Sequence, residues 1–410
     1  MDDGVWAVPV GPGPARVMCT DCGVSRGPNP NDCGRACQFI APDYAAAETR
    51  VHGRPRDAAL PDELFFGPFR RMMRARLAPP RAGAQWTGIV TTIGERLLQA
   101  GLVDAVLTMA ADPNDRWAPM PVLITKPEGM AQARGMRMGY APLLALLAPA
   151  RAAGHRRIAV IGIPCQVFAL RALEAELGFE RIYVIGTPCS DNTTTAKFHQ
   201  FLALLEDDPA RVTYLEFMPD YHVELRFDDG RKRRIPFLAL PLSKLPQDFF
   251  PLTCQTCVDY TNVLADVTVG YMAGQGEQWI VVRNARGEEL VGLLGDDLVA
   301  TPITSSGKRR SAVKGFMENT RLAAGGLPLR RMPNFMRPIM GWLMPRLGPK
   351  GLEFARARVE MKAIETVLHL RRAAPAKIKN MVPDHVWALV KAYGIEPEEQ
   401  EKSSYFFEKK

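Results

Sequence analysis

Residues 156–194 read RRIAVIGIPCQVFALRALEAELGFERIYVIGTPCSDNTT. Ile158–Ile161 is a short, β-branched apolar run, the pattern of a strand buried on both faces. Gln166–Leu177 has helical periodicity, and Ile182–Ile185 repeats the apolar run. Strand, helix, strand predicts a parallel pair joined by a right-handed crossover. Each strand is followed by Gly-x-Pro-Cys, which sets Cys165 and Cys189 just past the two strand ends. Ligands gather at that end of a parallel sheet. Two sulfurs there can converge on one site, although each alone is more often a buried core thiol.

Downstream, residues 253–274 read TCQTCVDYTNVLADVTVGYMAG. Cys254 and Cys257 can grip one metal centre from a single turn. Asp259, Tyr260 and Asn262 follow at once, and a strand is expected near Val267–Tyr271. Trp279–Arg283 reads as another strand and Asn284–Gly287 as a turn, with Gly-Glu-Glu-Leu from Gly287 opening a helix. Between the crossover and this stretch, residues 211–239 read as a β-meander with an Asp-Asp-Gly turn at Asp228–Gly230.

Upstream, Cys19, Cys22, Cys33 and Cys37 are spaced C-x2-C-x10-C-x3-C around GVSRGPNPND, which is turn chemistry throughout. A loop wrapped on a metal is expected, with neither helix nor strand. Zinc and an iron–sulfur cluster are equally open for this group alone. Residues 60–80 are rich in Arg and Met and carry no clear chemistry. In AQWTGIVTTIGERLLQAGLVDAVLTM, residues 84–109, a helix from Thr91 closes at Gly101 before a strand over Val103–Met109. Gln85, Trp86, Thr87 and Gly88 therefore sit at a helix N-terminus, where free N–H groups suit a phosphate or an anionic ring edge. The competing reading is an ordinary Thr cap with a packed Trp. Pro121–Lys126 reads as a strand, Glu128–Arg134 and Leu143–Ala152 as helices.

The chain's 410 residues carry a net charge of +8, with 47% hydrophobic and 23% charged residues. That composition fits a globular protein of two or three domains. The positive surplus favours acidic partners, and no nucleic-acid recognition motif accompanies it. Residues 301–350 concentrate the charge, with ten Lys and Arg against Glu318 alone. That segment reads as a solvated face or an oligomer contact, or as a dock for an acidic redox partner or for lipid beside FMRPIMGWLM (335–344). No signal peptide or spanning helix is expected, and a cytoplasmic location follows. A cytosolic chain keeps its cysteines reduced, as ligands or core thiols. No G-x-G-x-x-G follows a strand, and Walker A and H-E-x-x-H are missing.

The eight cysteines divide into four close together and four spread over three places. Two cubane clusters use eight thiolates, as would two all-cysteine zinc sites. Placement of the second set at strand ends, inside a ligand cleft, favours iron. The fold expected is mixed α/β, a central mixed sheet with βαβ units, preceded by an iron–sulfur loop region and followed by a helical extension. The divisions are 1–80, 81–300 and 301–410.

The phrases AQWTGIVTTI, IGIPCQVFALRALE, GTPCSDN, TCQTCVDYTNVLADVTVGYM and IVVRNARG resemble the beta-subunit family of coenzyme F-420 hydrogenases and dehydrogenases. DELFFGPFRRMMRARL, YLEFMPDYHVEL, SSGKRR and GPKGLEFAR are similar to its chlorophyll-reducing branch, the ferredoxin-dependent 8-vinyl reductases and 7-hydroxymethyl chlorophyll a reductases. The likeness runs from about Cys19 to about Tyr393. It implies FAD, two 4Fe-4S clusters, reduced ferredoxin as donor and hydride delivery to the 8-vinyl group of a chlorophyllide-type tetrapyrrole. It matches Cys165, Cys189, Cys254 and Cys257 to the cluster near the flavin, and Cys19 and Cys22 to the other. Ser25 stands where that family's C-x2-C-x2-C pattern has its third cysteine, so Cys33 and Cys37 are taken to complete the set. Gln85, Trp86, Thr87, Gly88, Thr91, Thr92, Asn262 and Arg283 are the expected FAD contacts. Asp191, Asp259, Tyr260 and His222 are the candidate proton donors. A homo-oligomer touching a photosynthetic membrane peripherally is also expected.

Overall fold

The computed structural model describes residues 4–7, 18–218, 220–270 and 276–402. Nine strands form one mixed sheet: β1 (Val5–Ala7), β2 (Arg71–Leu77), β3 (Ala105–Asp112), β4 (Asp115–Ile124), β5 (Arg157–Gly162), β6 (Arg181–Gly186), then, after a separate meander, β10 (Val267–Gly270), β11 (Gln278–Val282) and β12 (Leu298–Thr301). Their spatial order is β1-β4-β3-β5-β6-β10-β11-β2-β12. The meander, β7 (Val212–Phe217), β8 (His222–Phe227) and β9 (Lys232–Pro236), forms its own antiparallel sheet.

The parallel pair expected from the crossover is present. Ile158 lies opposite Ile182, and Gly162 opposite Gly186, so the two Gly-x-Pro-Cys turns leave the sheet side by side. Helix α1 (Ile89–Gln99) covers one face and α2 (Pro164–Leu173) the other. The strand alternation sorts residues between them. Ile158, Val160, Ile182 and Val184 pack with Val167 and Leu170. Ala159, Ile161, Tyr183 and Ile185 pack with Ile89, Ile93 and Leu97. The C-terminal region is helical: α3 (Arg309–Ala323), α4 (Met336–Leu347), α5 (Leu352–Ala373) and α6 (Asp384–Lys391).

Several expectations need correction. Residues 60–80 contain β2, an inner strand pairing with β11 and β12. Met73, Ala75 and Leu77 are buried while arginines take the other face, and those arginines mask the alternation. The first cysteine loop holds short 3-10 turns and one helical turn, Cys33–Ala36. β4 starts at Asp115 instead of Pro121, and the helix expected to open at Gly287 starts at Ala285, capped by Asn284, and runs to Gly292. Tyr271, the expected end of β10, and the Met272–Gly274 that closes the quoted stretch lie outside the described residues.

Candidate functional site

Four cysteines meet at the C-terminal end of the parallel strands. Cys165 opens α2, Cys189 follows β6, and Cys254 and Cys257 flank the end of a single helical turn, Leu252–Gln255. The Cys189 sulfur is raised well above the ordinary thiol value by burial and then by Cys254, Cys165 and Cys257. Backbone bonds fix the approach, with the Cys189 N–H donating to the Tyr260 carbonyl at 3.0 Å. The Tyr140 hydroxyl lies 3.4 Å from the Cys254 sulfur, and Gln38 Nε2 donates to the Cys257 sulfur at 3.6 Å. Close packing holds the loop: a Cβ at Gly186 would fall 2.7 Å from Asn262.

Cys19, Cys22, Cys33 and Cys37 line a second space, a cavity of about 260 Å³ whose wall also includes Ser25 and Cys165. Burial pushes the Cys22 thiol up to about 12, helped by Cys37, Cys33 and Cys19. Thr20 lies between the two groups, since it borders this cavity and a larger one and hydrogen-bonds the Cys165 sulfur. Among the described residues, no three His, Cys, Asp or Glu side chains converge as they would on a single metal ion. The outer thiols instead surround a void. A tetrahedral zinc needs every sulfur about 2.3 Å from one point, whereas a cubane spreads its thiolates around a cage. The outer four, spread around that void, fit a cluster better than a single zinc ion.

The larger cavity measures about 830 Å³. Gln85, Trp86, Gly88 and Thr91, at the start of α1, form one wall. Gly88 begins the helix at φ +90°, and a Cβ there would sit 2.9 Å from the Ala84 and Arg81 side chains. Cys189, Asp191, Tyr260 and His222 also border this space. The far wall is apolar, with Phe198, Phe217 and Phe249 from the meander side and Met340 and Met344 from α4. Thr87, Thr92, Asn262, Arg283 and Asp259 do not line it. The Thr87 hydroxyl accepts from Leu77 N at 3.0 Å and donates to Gln278. The Thr92 hydroxyl accepts from Arg81. The Asn262 amide donates to the Gly162 carbonyl at 2.8 Å, though its Oδ1 is buried without a partner. Arg283 donates to the carbonyls of Phe66, Pro68 and Thr261, stitching the loop before β10 to the chain before β2. Asp259 caps the backbone at Val263, and burial pushes its carboxyl up to about 6.

Two groups on the cavity wall escaped sequence reading. Arg134 and Arg137 both line it, and the Nε of each is buried without a partner. Arg137 donates only to the backbone carbonyls of Met136, Gln132 and Arg134, and burial alone pulls it below its ordinary value. A half-buried cation with no carboxylate partner among the described residues fits an anion such as a flavin diphosphate. Glu216 is the second: its Oε1 is buried and unpartnered, Oε2 accepts from Tyr214, and burial pushes the carboxyl up to about 7. Their only sequence signal was position, within QARGMRMGY and on the inward face of β7.

Helix α5 closes the site. Lys362 and Glu365 lie on its inner face, and Lys362 Nζ donates to the Cys254 carbonyl at 2.6 Å. His222 Nδ1 lies 3.1 Å from the Asp220 carbonyl oxygen.

Residues 72–148 and 155–303 match the N-terminal and C-terminal parts of the family described as coenzyme F420 hydrogenase/dehydrogenase, beta subunit. A 7-hydroxymethyl chlorophyll a reductase, chloroplastic, from Oryza sativa subsp. japonica is 38% identical over 399 residues, covering 94% of this chain and 84% of the relative. An uncharacterized protein of Nostoc sp. is 37% identical, covering 93% of this chain and 95% of its own. Among solved structures, a chain of the F420-reducing [NiFe] hydrogenase complex from Methanosarcina barkeri shares the fold, with a TM-score of 0.52 at 22% identity over 58% of this chain and 84% of that one.

Proposed function

The chain belongs to the family of coenzyme F420 hydrogenase/dehydrogenase beta subunits, and from that premise we propose an iron–sulfur flavoprotein that draws electrons from reduced ferredoxin and reduces the 8-vinyl group of a divinyl chlorophyllide-type tetrapyrrole. One observation carries the reading. A cavity of about 830 Å³ has Cys189 of the inner quartet on one wall, Arg137 with its unpaired Nε on another and a Phe- and Met-rich face beyond.

In this reading Cys165, Cys189, Cys254 and Cys257 hold the inner cluster, and Cys19, Cys22, Cys33 and Cys37 the outer. FAD, when bound, converts single electrons into hydride transfer. Arg134, Arg137, Gln85 and the N–H groups opening α1 hold its diphosphate, beside Trp86, Gly88 and Thr91. The apolar wall excludes water and takes the macrocycle, with no polar group demanded by a vinyl substituent. A proton must still reach carbon. Asp191, Tyr260, His222 and Glu216 border the space from which a donor acts.

The rice relative favours a second reading, reduction of a 7-hydroxymethyl group on the same ring system. Anaerobic incubation with reduced ferredoxin and either divinyl chlorophyllide or 7-hydroxymethyl chlorophyll, followed by pigment chromatography, separates the two. A monovinyl product is expected. Flavin reduction without either pigment product would leave the chain as an electron-transfer subunit.

A further inference from the structure

Helix α4 carries apolar residues on two opposite faces. Met340 and Met344 point to the large cavity, and Gly341 packs on the Pro236–Ala239 turn, where a Cβ would meet Pro236 at 3.1 Å. The other face holds Phe335, Ile339, Trp342 and Arg346, spaced to share one stripe. Phe335 is 74% exposed, and Ile339 and Trp342 are each 59% exposed. A cluster of this kind on a water-facing helix marks an interaction surface.

Charge identifies the partner. Arg331, Arg346, Lys350, Lys308, Arg310 and Lys314 are all exposed on the same segment, and none makes an ion pair among the described residues. The acid in that segment, Glu318, is paired with Arg321. The Arg346 guanidinium lies over the Trp342 ring at 4.2 Å, so a cation and an indole stand together at the rim of the patch. An exposed aromatic and aliphatic stripe on a segment whose exposed cations lack acidic partners matches the interface of an anionic bilayer, where rings sit at headgroup depth and cations meet lipid phosphates. An acidic protein would answer the charges but leave three large apolar side chains to be covered by a surface poor in them.

We propose that α4 docks on an anionic lipid surface and turns the mouth of the cavity toward it. Continuity supports the orientation: Leu347 is both exposed and part of the cavity wall, and exposed Lys308, whose N–H donates to the Leu347 carbonyl, lines the same wall. An apolar ring system dissolved in the bilayer would pass along α4 without crossing water. Docking itself does not depend on the reductase reading; only the identity of what enters does. No helix among the described residues is long and apolar enough to cross a membrane, so the contact is peripheral.

The test is flotation of the holoprotein with vesicles of equal parts phosphatidylcholine and phosphatidylglycerol, against pure phosphatidylcholine. The protein should float with the anionic vesicles and be released by salt. Ile339→Glu and Trp342→Glu should each weaken binding about tenfold or more, while Arg346→Glu with Lys350→Glu should flatten the salt dependence. Both apolar positions lie outside the cavity, so turnover of a water-soluble pigment in detergent-free buffer should be unchanged. Wild-type protein that binds the anionic vesicles but turns over neither pigment would count against the reductase reading and leave docking standing. No binding, or binding indifferent to both glutamates, overturns the proposal. So does an oligomer that Ile339→Glu splits, which would give the face to a second copy. A selective loss of ferredoxin affinity in that variant overturns it as well, in favour of an acidic protein.

Discussion

The ammonium of Lys362 lies 2.9 Å from the carboxylate of Asp191, joining the C-terminal helix α5 to the loop that follows β6. Glu365 faces the same ammonium at 2.8 Å. Burial would pull Lys362 down, but the two carboxylates outweigh it and hold it above the usual lysine range. Lys362→Met should therefore lower stability by about 3–5 kcal/mol, since it leaves buried carboxylates unpaired. Adding Asp191→Asn should recover part of that loss. Anaerobic urea unfolding of the single and double variants measures both.

Thr87 was an expected flavin contact and Arg137 was not, yet Arg137 lines the large cavity and Thr87 does not. Arg137→Met should weaken FAD retention about tenfold to a hundredfold, the loss of charge-assisted hydrogen bonds, with a small change in melting temperature. Thr87→Val should leave FAD affinity alone. It strands the buried Leu77 N–H and should cost about 1–3 kcal/mol. Flavin titration alongside thermal melting separates the pair.

Cys33 and Ser25 border the same cavity. Iron analysis of the anaerobic protein should give about eight irons, the content of two cubanes. Cys33→Ser should lower it to about four, and the double variant Ser25→Cys with Cys33→Ser should regain much of the loss. An unchanged count in Cys33→Ser would remove Cys33 from the ligand set.

Asp266 is fully buried and accepts from Arg171 at 2.8 Å, Arg286 at 2.9 Å, Asn284 at 2.8 Å and the Val184 N–H at 2.7 Å. Burial pushes its carboxyl up, but Arg171 and Arg286 outweigh it, so the folded value lies below the ordinary one. A lowered carboxyl contributes stability above its unfolded value of about 3.9 and loses it as pH falls through the folded value. Asp266→Asn should cost about 3–5 kcal/mol at neutral pH. The gap between wild type and variant should narrow below about pH 4. Melting curves across that range provide the check.

Glu216 enters the cavity as a neutral acid below about pH 7. If it delivers the proton, turnover falls as pH rises past that value, and Glu216→Gln removes the limb while lowering the plateau by about a hundredfold. A full pH–rate profile of both proteins decides it. A pH limb retained in Glu216→Gln would return the role to Tyr260, His222 or Asp191.

The parallel pair was legible because Ile158–Ile161 and Ile182–Ile185 carry strand periodicity on a scale of a few residues, and Gly-x-Pro-Cys marks each strand end. Local signals also announced the meander and the cysteine spacing. Arg283 shows where such reading ends. It follows a strand near the second cluster motif, yet its guanidinium bonds to Phe66, a partner 217 residues away. Arg137 is the reverse case. Nothing in QARGMRMGY distinguishes it until the folded chain shows that no carboxylate among the described residues meets it. Strand β2 was missed because its outward arginines masked the alternation of Met73, Ala75 and Leu77 on its inward face.

Thr20 and Glu365 face the same large cavity, although nearly the whole chain separates them. A ribosome must therefore have released α5 before the walls can meet. On the proposed reading, cofactor insertion is then a late event in biosynthesis, and a nascent chain waiting for its last helices would hold its thiols open to oxygen. Expression under strict anaerobiosis protects that interval above all.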